Sequence, residues 1–157
     1  MPPASSEYRI ASSSPAVARG GGGDPMAAMS MPSSREEVAT RAGDLKRIAD
    51  SGKHAIYLGM ENGYPMGDDP DLLDEIYGKG IRYMTLVHSS NNDICDSSTD
   101  TLEHGGLSPL GEQVVAHMND LGMLIDVSHA SDDSFYDVIE RSRTPIIASH
   151  SCARAIC

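Results

Sequence analysis

Four residues that can bind a metal ion each follow an apolar run in this sequence. Glu61 and His88 come directly after two such runs, and two further runs end in Ser-His, at His129 and at His150. Apolar runs of this length between glycine or polar residues predict buried strands. Because the loops after parallel strands converge at one face of a sheet or barrel, we expect these four side chains to lie close together.

Two neutral imidazoles and one carboxylate are a standard ligand set for catalytic zinc, and they leave one coordination position for water. Zinc lowers the pKa of that water towards about 7 and polarises a carbonyl group, and both effects favour hydrolysis of an amide bond. The composition of the group therefore predicts a catalytic metal site at the ends of these strands.

Each of these residues also has a simpler interpretation. A single histidine after a strand is more often a capping or packing residue than a ligand, and a lone Glu61 is more often an exposed loop carboxylate. The repetition of Ser-His at two strand ends is what favours the metal site. Asp126 is a candidate for orienting an imidazole, although counting along its strand does not settle which face it occupies. We assign no role to the remaining histidines, which are His54, His104 and His117.

The elements that carry these residues alternate between strand and helix. Such repeats, with near-continuous apolar strands, are typical of a parallel α/β sheet. The predicted strands are residues 54–60, 81–87, 122–128 and 145–149. Helix-start signals precede the predicted helices at Ser34, Asp69, Ser108 and Ser131. A closed barrel of this type needs eight strands. The predicted fold class is therefore α/β, a partial TIM-like (β/α)8 barrel of about four strand–helix units that is incomplete at both ends.

The first 34 residues differ in composition from the rest of the chain. They are rich in Ser, Pro, Ala and Gly and include the run Gly20 to Gly23. Glycine runs bind phosphate between a strand and a helix, and no strand is predicted before this one, so residues 1–34 are predicted to be a flexible leader. The predicted barrel domain spans residues 35–157. Within it, residues 89–106 are predicted to form a long polar loop, a length that is often functional.

Composition excludes several classes of partner. The chain of 157 residues has 23 acidic and 12 basic residues, a net charge of −11 and no cluster of Lys or Arg. This balance argues against binding to nucleic acid or to an anionic membrane. The three cysteines form no CxxC pair, so neither a disulfide framework nor a cysteine-bound zinc is predicted. No apolar run reaches the length of a transmembrane helix, and no signal peptide is visible.

Five blocks are recognisable as a set because they occur together and in order. They are Gly59 to Gly63, Gly80 to His88, Gly105 to Gly111, Asn119 to His129 and Pro145 to Ser151. Together they resemble the membrane (renal) dipeptidase family, and the resemblance covers roughly residues 40–157. It implies an amidohydrolase-like barrel with two zinc ions that hydrolyses dipeptides.

The resemblance also implies individual roles. Glu61 matches the carboxylate that bridges the two zinc ions, and His129 and His150 match the histidines that bind the second zinc. His88 matches a histidine that contacts the substrate and helps to stabilise the tetrahedral intermediate. Members of the family are secreted, membrane-anchored or cytoplasmic, so the resemblance assigns no compartment.

The sequence departs from the family pattern at the first zinc, which in the family takes a His-x-Asp pair that occurs nowhere in these 157 residues. The family's substrate-binding Arg and late Asp, beyond the second Ser-His, are also unmatched. We therefore expect a central fragment of a dipeptidase that binds at most one zinc ion, through Glu61, His129 and His150, and has little or no activity by itself.

The alternative is a catalytically dead remnant that binds a metal or a partner. A deaminase of the same superfamily is disfavoured because it would lack the Leu-Val-His and Asp-Val-Ser-His blocks. Exposed strand edges predict poor solubility or a homo-oligomer.

Overall fold

The computed structural model describes residues 9–13, 34–153 and 155–156 of the chain. Strands and helices alternate along these residues. The strands are β1 (Arg9–Ser13), β2 (Glu36–Val38), β3 (His54–Glu61), β4 (Ile81–Thr85) and β5 (Leu124–Asp126). The helices are α1 (Ala42–Asp50), α2 (Leu72–Gly78), α3 (Pro109–Leu121) and α4 (Asp132–Arg141), and a short 3-10 helix spans Tyr64–Met66.

All described strands belong to one parallel sheet. Its order is β1-β3-β4-β5, and β2 pairs with the first residues of β3. The predicted α/β fold class is confirmed. Parallel neighbours need a crossover between them, and α2 provides it between β3 and β4 while α3 provides it between β4 and β5.

The register aligns one residue of each central strand in a row across the sheet. Glu61 pairs with Thr85, Thr85 pairs with Asp126, and Asp126 forms a parallel bridge with Ile147. The predicted fourth strand, residues 145–149, is therefore reduced to a single bridge. The amide of Val127 donates to the carbonyl of Ile147 at 2.9 Å, and the amide of Ile147 donates to the carbonyl of Ile125 at 2.9 Å.

The two long helices begin where the sequence predicts. The hydroxyl of Ser108 accepts a hydrogen bond from the amide of Gly111 at 3.0 Å, and that of Ser131 accepts one from Ser134 at 3.1 Å. Helix α3 ends at Gly122, whose φ of 73° is the left-handed conformation that glycine adopts most readily at a helix end.

The buried faces of the helices and the strands form one core. Its fully buried members include Leu73, Met84, Leu86, Val114, Val115, Met118, Met123, Ile125 and Val138.

The prediction that a helix begins near Ser34 is wrong. Residues Glu36–Val38 form β2, and helix α1 starts only at Ala42. The acidic residues that resemble a first helical turn instead pair with the start of β3, where Glu36 lies opposite His54. The carboxylate of Glu37 accepts hydrogen bonds from Arg47 at 2.6 Å and Lys53 at 3.0 Å, so its charge is compensated across the strand–helix junction.

The predicted flexible leader overlaps the described residues at only two places. Residues 9–13 form β1, which pairs with Ile56 to Met60 of β3. The sequence predicts no strand there because Arg9–Ser13 contains only one large apolar residue. Residue 34 is the other overlap, and the glycine run lies outside the described residues. Among the described helices, none has the length and apolar character needed to cross a membrane.

Candidate metal centre

The sheet register brings the three strand-end histidines to the same level. His88, His129 and His150 each lie three residues beyond a member of the aligned row, which contains Thr85, Asp126 and Ile147. Glu61 is itself a member of that row, at the end of β3. Equal spacing after aligned residues delivers all three imidazoles to the same edge of the sheet, beside the carboxylate.

The three imidazoles converge on one carboxylate oxygen. The Nε2 atoms of His129 and His150 each lie 3.3 Å from Oε1 of Glu61, and Nε2 of His88 lies 3.4 Å from it. The Nε2 atoms of His129 and His150 are 2.9 Å apart. Tetrahedral ligands held about 2.0–2.1 Å from zinc would be separated by about 3.3–3.4 Å, so these spacings are close to those of a ligand shell.

Three of the four residues form a compact group that could hold one metal ion. The ligand atoms of Glu61, His129 and His150 all lie within 4.8 Å of one another. Across residues 34–153 and 155–156 no other group of three such side chains meets this condition. The donor set, two imidazole nitrogens and a carboxylate oxygen, suits zinc and leaves room for water.

His88 borders this group without belonging to it. Its ring centroid lies 4.3 Å from that of His129, and its Nδ1 lies 2.8 Å from the hydroxyl of Ser89. The side chain is 42% exposed, whereas that of Glu61 is 12% exposed. His88 therefore has one nitrogen near the carboxylate and a ring that solvent or a bound molecule can reach.

The backbone adopts the uncommon left-handed conformation at one site residue and next to another. Asn62, which follows Glu61, has a φ of 79°, and His129 has a φ of 68°. A residue other than glycine in this region costs on the order of 1 kcal/mol, and such positions cluster at functional sites. The side-chain oxygen of Asn62 accepts from the amide of Tyr64 and from the side chain of Asn92, both at 3.0 Å. The carbonyl of His129 accepts from the amide of Ser98 at 2.8 Å.

Asp126 lies under the cluster and is completely buried. Its Oδ1 accepts from the amides of Ser128 (3.1 Å) and Ser149 (3.0 Å) and from the Ser128 hydroxyl (2.8 Å). Its Oδ2 accepts from the hydroxyls of Thr85 (2.7 Å) and Ser149 (2.5 Å). Burial acts to raise the pKa of Asp126, but the hydrogen bonds from Ser149, Thr85 and Ser128 outweigh it and hold the pKa below its usual value.

The long loop of residues 89–106 is organised around a second buried carboxylate, Asp96. Its two oxygens accept hydrogen bonds from four consecutive backbone amides, those of residues 103–106, at 2.7–3.2 Å. The next residue connects the loop to the site, because the hydroxyl of Ser97 donates to the carbonyl of His88 at 2.6 Å. The loop therefore fixes the backbone of two site histidines, His88 through Ser97 and His129 through Ser98.

A cavity of about 610 Å³ borders the site. It is lined by His129 together with apolar residues of the β5–α4 region, including Val127 and Phe135, while Glu61, His88 and His150 do not line it. The cavity therefore lies beside the convergent group.

The remaining histidines lie elsewhere. His54 starts β3, at the end of the strand opposite Glu61. Nε2 of His104 bonds the carbonyl of Asn92 at 2.9 Å, and Nε2 of His117 lies 3.0 Å from Asp74. Sequence reasoning missed Thr85, Asp96 and Ser149 as supporting residues. Only Ser149 carried a signal, since it precedes a candidate ligand in a repeated Ser-His pair.

Comparison with known proteins agrees with this geometry. The model of the family "Membrane dipeptidase (Peptidase family M19)" matches residues 26–157. Dipeptidase tcpJ of Claviceps purpurea is 40% identical over 129 residues, which are 82% of this chain and 30% of that protein. The crystal structure of the probable dipeptidase PvdM from Pseudomonas aeruginosa superposes with a TM-score of 0.74 at 43% identity, covering 77% of this chain and 32% of that one.

A third relative was solved with a ligand. The metallo peptidase from Rhodobacter sphaeroides, liganded with a phosphinate mimic of the dipeptide L-Ala-D-Ala, superposes with a TM-score of 0.72 at 29% identity and covers 78% of this chain and 36% of that one. The chain spans a quarter to a third of the lengths of the curated relatives it matches. The family match over residues 26–157 confirms the resemblance found in the sequence, and the chain belongs to the membrane dipeptidase family, peptidase family M19.

Proposed function

We propose that this chain contributes a zinc-binding site to the hydrolysis of the peptide bond of dipeptides. The observation that carries the proposal is the convergence of three imidazole Nε2 atoms within 3.4 Å of Oε1 of Glu61. Two further findings support it. The curated relatives are named dipeptidases, and the Rhodobacter sphaeroides structure holds a mimic of a dipeptide.

Glu61, His129 and His150 would hold the zinc ion. When bound, zinc would activate a water molecule and polarise the carbonyl of the peptide bond. The protein's part is to keep three ligand atoms within 4.8 Å of one another, at the end of β3 and in the turns that follow β5 and the Ile147 bridge. His88 would act on the substrate, because its half-exposed ring can donate a hydrogen bond from Nε2 to a carbonyl oxygen beside the carboxylate.

A second candidate is a metal-binding chain without turnover. One observation favours it: the part of the chain that the structure describes contains a single group fit for a metal ion, whereas the family resemblance implies two zinc ions. We therefore expect the isolated 157-residue chain to bind zinc and to hydrolyse dipeptides at a very low rate.

Zinc binding tests the first step. The purified chain, stripped with a chelator and dialysed against zinc, is expected to hold about one zinc ion per chain by elemental analysis. His129→Ala should weaken binding by about 100-fold or more, because a ligand is lost. His54→Ala is the matched control, since His54 lies at the opposite end of β3 and should leave binding unchanged. Equal zinc content in all three proteins would contradict the ligand assignment.

Turnover separates the two candidates. The zinc-loaded chain is incubated with L-Ala-D-Ala, and released alanine is measured by chromatography. Zinc bound without released alanine supports the metal-binding chain. Rapid release that is lost in Glu61→Gln supports a complete peptidase site and overturns the expectation of low activity.

Self-association is a further expectation for this chain. A partial barrel is expected to leave strand edges open, and a second copy can pair with the backbone donors and acceptors of such edges. Sedimentation velocity should show dimers or larger species, and a single monomeric species across the accessible concentrations would contradict this expectation.

A further inference from the structure

The hydroxyl of Ser149 lies between a buried carboxylate and a site histidine. Its Oγ is 2.5 Å from Oδ2 of Asp126 and 2.7 Å from Nδ1 of His150. The three groups form a chain of two hydrogen bonds, and the oxygen in the middle has only one proton to donate. Where that proton points decides which nitrogen of His150 carries hydrogen.

Asp126 determines the direction of the first bond. It accepts hydrogen bonds from Thr85, Ser128 and Ser149 and is completely buried, with its pKa held below the usual value by those bonds. An ionised carboxylate can only accept. Ser149 therefore donates its proton to Asp126, and its oxygen is left to accept from His150. That second bond requires hydrogen on Nδ1 of His150.

We propose that Asp126, acting through Ser149, fixes His150 in the Nδ1–H tautomer and so directs the lone pair of Nε2 towards Glu61 and His129. Asp126 and Ser149 are positioning residues in this proposal, since neither would touch the metal ion. The role of His150 as a ligand rests on the proposed function, but its tautomer is a property of the metal-free chain.

The contact between the two imidazoles fits the same arrangement. Nε2 of His150 and Nε2 of His129 are 2.9 Å apart, a distance at which one nitrogen donates to the other. With no hydrogen on Nε2 of His150, the hydrogen must be on Nε2 of His129. The metal-free chain should therefore hold these two histidines in opposite tautomers.

We call the two hydrogen bonds that link Asp126, Ser149 and His150 the relay. The variant Asp126→Asn should reverse the direction of both bonds. The Oδ1 position accepts from two backbone amides, those of Ser128 and Ser149, which cannot rotate away. The carbonyl oxygen of the new side chain must therefore take that position, and its NH2 group must face the hydroxyl of Ser149. Ser149 then accepts from the amide and donates to Nδ1 of His150, which moves the imidazole hydrogen to Nε2.

NMR of the imidazole nitrogens measures the tautomer directly. The full chain is labelled with 15N-histidine, kept metal-free with a chelator and studied at about pH 8, where an imidazole of ordinary pKa is neutral. Signals of His150 are assigned by their loss in His150→Gln. The expected result is Nδ1–H in the wild type and Nε2–H in Asp126→Asn.

Thr85→Val is the matched control. It removes the other hydroxyl from the same carboxylate oxygen, at 2.7 Å, and leaves Ser149 in place, so the Nδ1–H tautomer should persist. A wild type with Nε2–H at His150, or a folded Asp126→Asn variant with the wild-type tautomer, overturns the proposal. The wild-type measurement alone decides it if Asp126→Asn does not fold.

Zinc affinity separates this proposal from the proposed function. Asp126→Asn should bind zinc about 10- to 100-fold more weakly than the wild type, the usual cost of losing a group that orients a ligand. Thr85→Val should stay within about 3-fold of the wild type, since the relay to His150 is intact. A wild type with the expected tautomer and no zinc binding refutes the metal site and leaves the relay standing. Zinc binding together with the opposite tautomer refutes the relay alone.

Discussion

Two aspartates, Asp96 and Asp126, are completely buried, and different kinds of donor surround them. The carboxylate of Asp96 is held by the backbone amides of residues 103–106. The carboxylate of Asp126 accepts from two amides and from the hydroxyls of Thr85, Ser128 and Ser149. Both pKa values lie below the usual range, because in each case the hydrogen bonds outweigh the cost of burial.

The two kinds of donor differ in whether they can also accept a hydrogen bond. A backbone N–H group only donates, so Asp96 holds its loop closed and orients no further side chain through these bonds. A hydroxyl both donates and accepts, so Ser149 can donate to Asp126 while its oxygen accepts from His150. The two carboxylates have similar burial and similar pKa directions. Because their donors differ, Asp96 stabilises a loop, whereas Asp126 determines the tautomer of His150.

The largest effect is expected from Asp96→Asn. The amide group would place donors against backbone N–H groups that also donate, leaving buried polar groups unpaired, and the free energy of unfolding should fall by about 3 kcal/mol or more. Urea unfolding of the metal-free chain, followed by circular dichroism, measures it. Asp93→Asn makes the same change at an exposed position of the same loop and should cost less than about 0.5 kcal/mol. Similar losses in both variants would show that Asp96 does not hold the loop.

Acid should weaken the hydrogen bonds by which Asp96 holds its loop. Burial acts to raise the pKa of Asp96, but hydrogen bonds from the amides of His104, Glu103, Gly106 and Gly105 outweigh it, so the folded pKa lies below the unfolded value of about 3.9. A lowered pKa contributes stability that is fully present above the unfolded pKa and is lost as the pH falls through the folded value. The wild type should therefore lose more stability than Asp96→Asn as the pH falls below the unfolded pKa of about 3.9. Parallel curves of urea midpoint against pH for the two proteins would contradict this expectation.

The fold was largely predictable because its strands are short apolar runs between clear helix signals. The caps Ser108 and Ser131 and the glycine after α3 mark helix boundaries by local chemistry alone. Glu36–Val38 was not predictable in this way, since its pairing with β3 depends on residues eighteen positions later in the chain, and its acidic start resembles a helix. Residues 145–149 have the apolar pattern of a strand, but only Ile147 bridges to β5.

The candidate site was predictable at its four strand-end residues and not in what supports them. Glu61, His88, His129 and His150 stand next to apolar runs, so their meeting follows from parallel topology. Asp126 is a candidate partner of a histidine from the sequence alone. The face of the sheet that it occupies is not predictable, because a single polar residue in a strand does not define the register. Thr85 and Asp96 carried no signal, since their partners lie about 40 and 10 residues away along the chain.

The smallest effect is expected at Ser97, where the loop held by Asp96 contacts the backbone of the site histidines. This residue follows Asp96, is buried, and donates to the carbonyl of His88 at 2.6 Å, while the neighbouring amide of Ser98 donates to the carbonyl of His129 at 2.8 Å. Ser97→Ala removes one hydroxyl and should lower the free energy of unfolding by about 1 kcal/mol.

The zinc affinity of Ser97→Ala should stay within about 3-fold of the wild type, because Ser98 still fixes the backbone of His129 and the relay to His150 is untouched. Urea unfolding and competition with a zinc chelator measure the two quantities on the same preparation. A loss of zinc affinity as large as that of Asp126→Asn would mean that the loop orients the ligands as strongly as the hydrogen bonds from Asp126 through Ser149 do. Asp96 and Asp126 would then have similar effects on zinc binding, even though different kinds of donor surround them.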